Sequence, residues 1–291
     1  MSALLHQTLS GLATGGIYAS VALALVMVYR ATRHLNFAQG EMATFSTYIA
    51  LTLIQAGVPY WAAFALTVVL SFALGVALER LLLRRMAQAP GLSAVGVSIG
   101  LLLIFNALSG WLFGYTVKQF PSPFEGRSGG VLGGLVSGHE LGMTAVTVVL
   151  LLLVYGFFRF TRLGLAMRAA AGNAESSRLV GIDVGWTLAI GWGMAASLGA
   201  VAGMMVAPLV FLDPNMMSGV LLYAFAGALL GGIDNPFGAA VGGFAVGVIE
   251  NLGGAYIVGT ELKLTLALVI IAAVLVLRPA GLFGRAVVVR V

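Results

Sequence analysis

The sequence predicts an all-α membrane protein: a polytopic transmembrane helix bundle of about eight to ten spans, two of them short or broken. Three observations support this fold class. Hydrophobic residues make up 60% of the 291 residues and charged residues only 9%, whereas about 25% of an ordinary globular chain is charged. Apolar runs of about 20 residues, long enough to cross a bilayer as helices, recur along the chain. The 40 glycines suit close packing between membrane helices.

Hydropathy predicts seven clear spans. The first, Leu12–Tyr29, is too long for the apolar core of a cleaved signal sequence, so we expect it to stay in the membrane. An additional break at Thr14-Gly15-Gly16 is an alternative for this region. Two further segments, Met42–Ile54 and Val220–Ile233, are shorter than a helix that crosses a bilayer unaided. The other six clear spans cover residues 61–83, 93–114, 141–160, 186–210, 237–258 and 262–277.

The basic residues indicate whether the two short segments cross, because cytoplasmic loops collect lysine and arginine. If the first did not cross, three arginines would lie outside: Arg80, Arg84 and Arg85. If the second did not cross, three others would: Arg278, Arg285 and Arg290. With both crossing, twelve of the fifteen basic residues lie inside, and those outside are Lys118, Arg127 and Lys263. The prediction is nine passes with the N-terminus outside and the C-terminus in the cytoplasm. Cysteines at Ser128 and Ser176 would then label from opposite sides.

Polar residues flank both short segments. Such interrupted helices mark the substrate site in many transporters, because exposed backbone is tolerated in a membrane only along a polar cavity or inside protein. Ordinary span boundaries are the alternative interpretation. The first segment follows Asn36-Phe37-Ala38-Gln39-Gly40-Glu41, and the second lies between Asp213-Pro214-Asn215 and the run Gly231-Gly232-Ile233-Asp234-Asn235-Pro236. The candidate translocation residues are Asn36, Gln39, Glu41, Glu250 and Asn251.

Glu250 is unusual because it lies well inside the apolar span 237–258, beside Asn251. A carboxylate at the bilayer centre costs roughly 2.5–3.5 kcal/mol on insertion scales, so it usually faces a cavity or a partner. It is therefore either a pathway or gating group, or a hydrogen-bonded group that fastens helices or lies near the outer interface. Glu41 allows a pathway function too, or an ion pair with Arg30 or Arg33. A secondary transporter that uses Glu41 and Glu250 as proton or cation sites is a rival functional class.

A basic, helix-forming loop at residues 159–184 lies between two long apolar spans, and its charge predicts a cytoplasmic position. Leu163–Ala171 is rich in helix formers, and Gly172 interrupts that run. A second, short helix is expected over Ala174–Val180. We call residues 159–184 the coupling loop, since a short rigid helix along the membrane suits docking into a soluble ATPase. Simple anchoring at the membrane surface is the alternative.

Four residues of the coupling loop are candidates for contact with such an ATPase. Asn173 is a good N-cap, and Glu175 in the first turn suits the helix dipole. Arg178 adds positive charge, and Gly181 is expected to end the helix.

No catalytic, metal or cofactor site is predicted. The three histidines are scattered without metal-ligand spacing, and no Gly-Lys-Ser/Thr phosphate motif is present, so the chain is not expected to hydrolyse ATP itself. There is no cysteine for a disulfide or a thiolate ligand. The net charge of +5 is concentrated at span ends, which indicates a bilayer partner and no nucleic acid.

Five pairs of glycines have the small-xxx-small spacing that lets helices approach closely. We expect them to pack within the bundle and not to form a dimer seam. They are Gly11 and Gly15, Gly199 and Gly203, Gly227 and Gly231, Gly238 and Gly242, and Gly243 and Gly247.

Four stretches resemble the LivH-type permease subunits of branched-chain amino acid ABC importers. They are GGIYASVALALVMVYRATRHLNFAQGEMA (15–43), TRLGLAMRAAAGNAESSRLVGIDV (161–184), LLGGIDNPFGAAVGGFAVGVIEN (229–251) and LVLRPAGLFG (275–284). The resemblance implies one polytopic permease domain over residues 1–291 in a bacterial plasma (inner) membrane. It also implies that residues 172–182 are the coupling helix.

The same resemblance implies four partners beside the bilayer: a homologous LivM-like permease subunit, two ATP-binding subunits and a periplasmic substrate-binding protein. One departure concerns the solute. Asp234 lies in GGIDNPFG, where the family more often has a Gly-Ser or Gly-Thr pair before the proline. Relatives handle urea, short-chain amides and other amino acids, and sugar permeases of the same superfamily are a further alternative, so the solute stays open.

Overall fold

The computed structural model describes residues 2–32, 34–86, 91–124 and 137–284, and helices dominate these residues, which contain no β-strand. The predicted all-α class is therefore confirmed. Several residues that entered the topology prediction lie outside the described residues. They are Arg33, Arg127, Ser128, Arg285 and Arg290.

Eleven α-helices follow one another along the described residues. They are α1 (Ser2–Thr32), α2 (Gln39–Gln55), α3 (Tyr60–Leu81), α4 (Gly91–Phe113), α5 (Gly138–Phe160), α6 (Arg162–Gly172), α7 (Ala174–Leu179), α8 (Val184–Val210), α9 (Met216–Gly231), α10 (Pro236–Gly253) and α11 (Lys263–Leu277). A 3₁₀ turn over Leu83–Met86 follows α3, and a π-turn over Gly254–Val258 and a 3₁₀ turn over Thr260–Leu262 join α10 to α11.

Six of the described helical segments are long and apolar enough to cross a membrane, and α9 and α11 are shorter apolar helices. The chain is thus a multi-pass membrane protein. Helix α2 has 17 residues and α9 has 16, so both predicted short segments are short helices. The prediction of nine passes stays a prediction.

Helix α1 runs without interruption through Thr14-Gly15-Gly16, so the alternative of a break there is wrong. Glycine weakens an isolated helix, but here it allows close packing. A Cβ on Gly15 would lie 2.9 Å from Cα of Phe244 in α10, and a Cβ on Gly16 would lie 3.1 Å from the Thr147 side chain. The neighbouring backbone replaces the stabilisation that side chains would otherwise supply.

The start of the first short helix also differs from the prediction. Gln39, Gly40 and Glu41 were expected to precede the helix, but they form the first turn of α2. Asn36 stabilises the turn that precedes α2, because its side-chain oxygen accepts a hydrogen bond of 3.1 Å from the backbone N–H of Ala38. All three first-turn residues are buried. Hydropathy places polar residues outside the helix, but here tertiary packing keeps them in its first turn.

The described residues pack as two compact units. The first unit comprises Met1–Val26, Phe124–Thr147 and Gly219–Val291, and the second comprises Met27–Pro123 and Val148–Ser218. The prediction of one transmembrane domain over residues 1–291 is not tested by this division and stays a prediction.

Glycine-lined helix faces hold the first unit together. A Cβ on Gly227 of α9 would lie 2.7 Å from Cα of Gly243 in α10, and a Cβ on Gly247 would overlap Cα of Gly15 in α1. These contacts confirm that the small-xxx-small pairs of this unit serve internal packing.

Helix α8 is the centre of the second unit. It packs against α2 and α3, and α2 also packs against α4. A Cβ on Gly75 of α3 would lie 2.5 Å from the carbonyl oxygen of Trp192 in α8, so these two helices touch backbone to backbone. Gly199 and Gly203 of α8 face α2, where they make room for the side chains of Gln39 and Thr47.

Candidate functional site

The polar residues at the start of α2 are buried inside the second unit. Asn36 and Gln39 are fully enclosed, and Asn36 Nδ2 donates to Gln39 Oε1 at 3.3 Å. Gln39 Nε2 donates in turn to the backbone carbonyl of Ala195 in α8 at 2.8 Å. Buried amides of this kind are retained when every group finds a partner. Here they connect the short helix α2 to the central helix α8.

Glu41 joins the two polar flanks that the sequence identified separately. Asn106 of α4 lies between them: its Nδ2 donates to Glu41 Oε2 at 3.2 Å and to Asn215 Oδ1 at 2.9 Å. The same amide lies 3.2 Å from the carbonyl oxygen of Pro214. The first turn of α2 and the turn before α9 therefore meet at one asparagine. The result is an oxygen-rich polar cluster in the second unit, buried at Glu41 and exposed at Asn215.

Sequence reasoning missed Asn106. The available signal was an isolated amide in the otherwise apolar run Ile104-Phe105-Asn106-Ala107-Leu108. A polar side chain inside a span usually faces a partner or a cavity.

Glu250 lies in the first unit and has two partners there. The hydroxyl of Tyr18 donates to its Oε2 at 2.8 Å, and the ammonium of Lys263 lies 3.2 Å from its Oε1. Tyr18 also stacks on Tyr223 of α9, with ring centroids 4.9 Å apart. Glu250 is three residues from the end of α10. Its charge is therefore compensated by a lysine at the start of the next helix, as expected for a group that fastens helices.

Asn251 also joins α10 to α1. Its Nδ2 donates to Thr14 Oγ1 of α1 at 3.0 Å. Glu250 and Asn251 thus bind successive turns of α1 from adjacent positions of α10. Tyr18 was not identified as a partner from the sequence, because a residue 232 positions away in the chain leaves no local pattern. Lys263 was not identified either, because it lies in the next helix, beyond the reach of helix periodicity.

The coupling loop folds as predicted, with small shifts in its boundaries. Thr161 caps α6 by accepting a hydrogen bond of 2.9 Å from Gly164 N–H. Asn173 ends α6 and starts α7, and its side chain accepts from Ser176 N–H at 2.9 Å. The expected N-cap is confirmed. Helix α7 ends at Leu179, one residue before the predicted end.

Gly181 ends α7 in the left-handed conformation, with φ of +84°. Its N–H donates to the carbonyl of Arg178 at 3.1 Å, and the Ile182 N–H donates to the carbonyl of Ser177 at 3.0 Å. This pattern satisfies carbonyls that a helix end leaves open. A Cβ on Gly181 would meet nothing within 4 Å, so only the backbone conformation demands glycine here.

Helix α7 packs on α6 and α8 through its buried face, where Ser177 lies, and presents its other side outward. Glu175 and Arg178 are exposed. Leu179 and Val180 are 88% and 76% exposed. Sequence reasoning missed this apolar pair, which directly precedes the terminating glycine. An outward apolar tip beside charged groups is a composition suited to contact with another protein.

No metal centre accompanies these groups in the part of the chain that the structure describes: no three histidine, cysteine, aspartate or glutamate side chains gather closely enough to hold an ion.

Three comparisons relate the chain to known proteins. It is 31% identical over 301 residues to the high-affinity branched-chain amino acid transport system permease protein BraD of Pseudomonas aeruginosa, covering 97% of this chain and 96% of BraD. It is 29% identical over 302 residues to the corresponding permease protein LivH of Escherichia coli K12, again covering 97% and 96%.

A solved structure of PsaBC from Streptococcus pneumoniae in complex with Fab is similar with a TM-score of 0.51. The match covers 93% of this chain and 91% of that chain at 13% identity, so the likeness concerns the fold alone.

The family model for the permease component of branched-chain amino acid transport systems matches residues 7–277. This match spans both units, the coupling loop and all the candidate site residues, and the chain therefore belongs to that family of transport permeases.

Proposed function

We propose that the chain is the membrane-spanning permease subunit of an ATP-driven importer for branched-chain or related amino acids. It pairs with a homologous LivM-like permease and works with two ATP-binding subunits and a periplasmic substrate-binding protein. The complex lies in a bacterial inner membrane, with the C-terminus of this chain in the cytoplasm. Hydrolysis of ATP belongs to the partner subunits.

The observation that carries this proposal is the exposed helix α7 with its two caps. Asn173 starts it and Gly181 ends it, while Ser177 packs inward and Leu179 and Val180 point outward. A helix of only six residues is marginal on its own. Its caps and its packing on α6 and α8 hold it ready for contact, which lowers the ordering cost that docking must overcome.

In the proposed mechanism, ATP binding closes the two ATPase subunits, and they carry α7 with them through Glu175, Arg178 and the apolar tip. Because α7 packs on α6 and α8, movement at α7 reaches the central helix of the second unit. Helix α8 in turn holds Gln39 at the start of α2. Motion at the docking site therefore reaches the buried polar residues through direct contacts.

We assign Asn36, Gln39 and Glu41 to the translocation pathway. They lie at or just before the start of a short helix, and Glu41 contacts the turn that precedes the second short helix through Asn106. We assign Glu250 and Asn251 to the first unit instead, where they fasten α10 to α1. Their existing partners favour this assignment.

A substitution at Glu250 separates this proposal from a proton- or cation-coupled transporter. Glu250→Gln keeps a side-chain oxygen for the Tyr18 hydroxyl and removes the charge opposite Lys263. The Lys263 side chain is 27% exposed, so the substitution leaves a cation that solvent still reaches and no unpaired buried charge. ATP-dependent uptake in vesicles with the partner subunits should therefore stay within roughly fivefold of wild type.

Glu261→Gln, which removes an exposed carboxylate, is the control for that substitution. Uptake by both variants should continue when a protonophore collapses the proton gradient. A Glu250→Gln permease that assembles and supports normal ATP hydrolysis but carries no solute would overturn the assignment and favour a coupling carboxylate.

Site-directed labelling tests the proposed topology. The chain has no cysteine, so single cysteines at Thr116 and Ser176, both exposed, report without background. Thr116→Cys should react with a membrane-impermeant maleimide in intact cells, and Ser176→Cys only after permeabilisation. Equal labelling of both in intact cells would place α7 outside the cytoplasm and exclude docking to a cytoplasmic ATPase.

A further inference from the structure

A cavity of about 690 Å³ lies within the second unit, against the inner side of the coupling loop. This volume falls in the range of small-molecule sites, about 300–1,000 Å³. Its wall takes residues from the ends of α1 and α3, from α4, from α6 and α7, and from the start of α8. The lining residues that matter most are Glu79, Arg84, Ser98, Arg178, Asp183 and Trp192.

Charges of both signs line this cavity. Glu79 is buried, with 3% of its surface exposed, and it pairs loosely with Arg80, whose Nε lies 4.0 Å from Oε2. Arg80 itself stacks over the ring of Trp186 at 3.8 Å. Glu79 Oε2 accepts no hydrogen bond in the described part of the chain. A buried carboxylate in this state is costly unless another positive group compensates it.

Two further charged side chains, Asp183 and Arg84, lie beside Gly185. A Cβ on Gly185 would lie 3.2 Å from Asp183 Oδ1 and 3.5 Å from Cζ of Arg84. Asp183 Oδ1 already accepts from the N–H of Trp186 as the N-cap of α8. Arg84 therefore brings a guanidinium to the wall, and a guanidinium binds carboxylates well in bidentate geometry.

Trp192 supplies an apolar wall with one polar edge. The residue is 3% exposed, and its indole N–H has no acceptor among the described residues. Buried indole N–H groups usually have a partner. Leu188 lines the same cavity, so an aliphatic group has apolar neighbours beside the charged ones.

We propose that this cavity binds a free α-amino acid and that its occupancy restrains α7. The ligand's ammonium group is placed against Glu79, its carboxylate against Arg84, and its side chain against Trp192 and Leu188. A zwitterion fits better than a simple anion or cation, because the wall carries both charges. The choice of an amino acid rests on the proposed function. The binding measurement below uses no ATP and no partner subunit, so its outcome is independent of that function.

The connection to α7 is direct. Ala174 and Arg178, one helical turn apart, both line the cavity, whereas Leu179 and Val180 point outward. Ala174 and Arg178 are also exposed to solvent, so a ligand in the cavity contacts the same helix as the ATPase, and Arg178 is common to both contacts. Solute that accumulates on this side would hold α7 in place and slow import.

Binding is measured on the full chain in nanodiscs of phosphatidylglycerol by equilibrium dialysis with radiolabelled leucine. Two analogues test the charges without any mutation: 3-methylbutylamine lacks the carboxylate, and 4-methylpentanoate lacks the ammonium. Each should bind at least about tenfold more weakly than leucine, since each loses a charge-assisted hydrogen bond. Equal binding of leucine and either analogue, or no binding of leucine, would overturn the proposal.

Glu79→Gln and Arg84→Gln should each raise the leucine Kd at least about tenfold for the same reason. Arg159→Gln removes an exposed arginine outside the cavity and should leave the Kd unchanged. Leucine should bind equally when phosphatidylethanolamine, whose headgroup is also zwitterionic, replaces half of the lipid. Loss of leucine binding in that lipid would assign the cavity to a headgroup and overturn the amino-acid assignment.

The restraint on α7 is tested in vesicles that contain the partner subunits. Uptake by wild type should be slower into vesicles preloaded with leucine than into empty ones. The Glu79→Gln variant should import at the wild-type rate into empty vesicles and lose the slowing by internal leucine. If internal leucine slows uptake by wild type and by Glu79→Gln equally, the proposal that an amino acid in the cavity restrains α7 is overturned, whatever the binding measurement shows.

Discussion

Replacing Gly181 with valine should lower ATP-dependent uptake about tenfold and leave the permease folded in the membrane. Gly181 holds a φ of +84°, where a residue with a side chain costs about 1–2 kcal/mol. That cost is small for a whole membrane bundle but corresponds to roughly a tenfold change in an equilibrium that involves only α7. The helix end and the apolar tip before it would move, and the ATPase would lose its contact.

The chain contains a matched control for this substitution. Gly57, after α2, has a φ of +89°, and a Cβ placed there would meet nothing within 4 Å, as at Gly181. It ends its helix through the same pair of backbone bonds, from Gly57 to Ile54 and from Val58 to Leu53. Gly57→Val imposes the same local strain at the opposite end of α3 from the coupling loop, and it should support near-normal uptake.

Asn173→Leu removes the other cap of α7 and should act in the same direction, since loss of an N-cap costs about 1 kcal/mol. Two measurements accompany uptake: the amount of each variant in the membrane, and the amount of ATPase subunit that co-purifies with it. If Gly181→Val and Asn173→Leu retain the ATPase and transport at the wild-type rate, α7 is not the coupling element.

Replacing Gly247 with leucine should prevent the first unit from assembling. A Cβ on Gly247 would overlap the backbone of Gly15 in α1. Main-chain atoms cannot move aside as a flexible side chain can, so α1 and α10 would have to separate. Overpacking costs about 1–3 kcal/mol where the surroundings relax, and more is expected where two helix backbones meet. Because the two backbones must separate for the unit to accept the side chain, the yield of folded, monodisperse permease should fall well below that of wild type.

Gly219→Leu is the control for Gly247→Leu. Gly219 also lies inside a helix, but a Cβ there meets nothing within 4 Å. Leucine favours helix more than glycine does by up to about 1 kcal/mol, so this variant should be at least as stable as wild type. Gel-filtration profiles and resistance to trypsin in mild detergent report the outcome. A monodisperse, protease-resistant Gly247→Leu permease would contradict the close approach of α1 and α10.

The helical elements could be predicted because each depends on residues near one another in the chain. Apolar length identified most long spans to within a few residues, and it identified α2 and α9 as short. Two boundaries or lengths were wrong: α1 begins at Ser2, ten residues before the predicted Leu12, and α11, predicted as a clear span, has only 15 residues. The caps of α7 were equally local: Asn173 and Gly181 act on backbone groups no more than three residues away. Their prediction needed no knowledge of the rest of the fold.

The polar residues inside the spans show where such reasoning ends. The sequence marked Glu41 and Glu250 as costly in a membrane and left two interpretations open for each. Tertiary structure brought Asn106 to Glu41, and Tyr18 and Lys263 to Glu250. Which long-range partner a buried carboxylate meets depends on which helices pack together and in what register, and hydropathy carries neither kind of information.

The sequence by itself determined that this chain is an all-α membrane protein with two short helices and a basic, capped loop between spans, because apolar length, basic residues and capping groups act locally. Only the tertiary structure decided that α1 runs unbroken through its glycines, that Asn106 joins both polar flanks, and that a charged cavity lies behind α7. Each of these features exists only where distant segments meet, since backbone contact through glycine, hydrogen bonding across helices and enclosure of a cavity all require neighbours that are far apart in the chain.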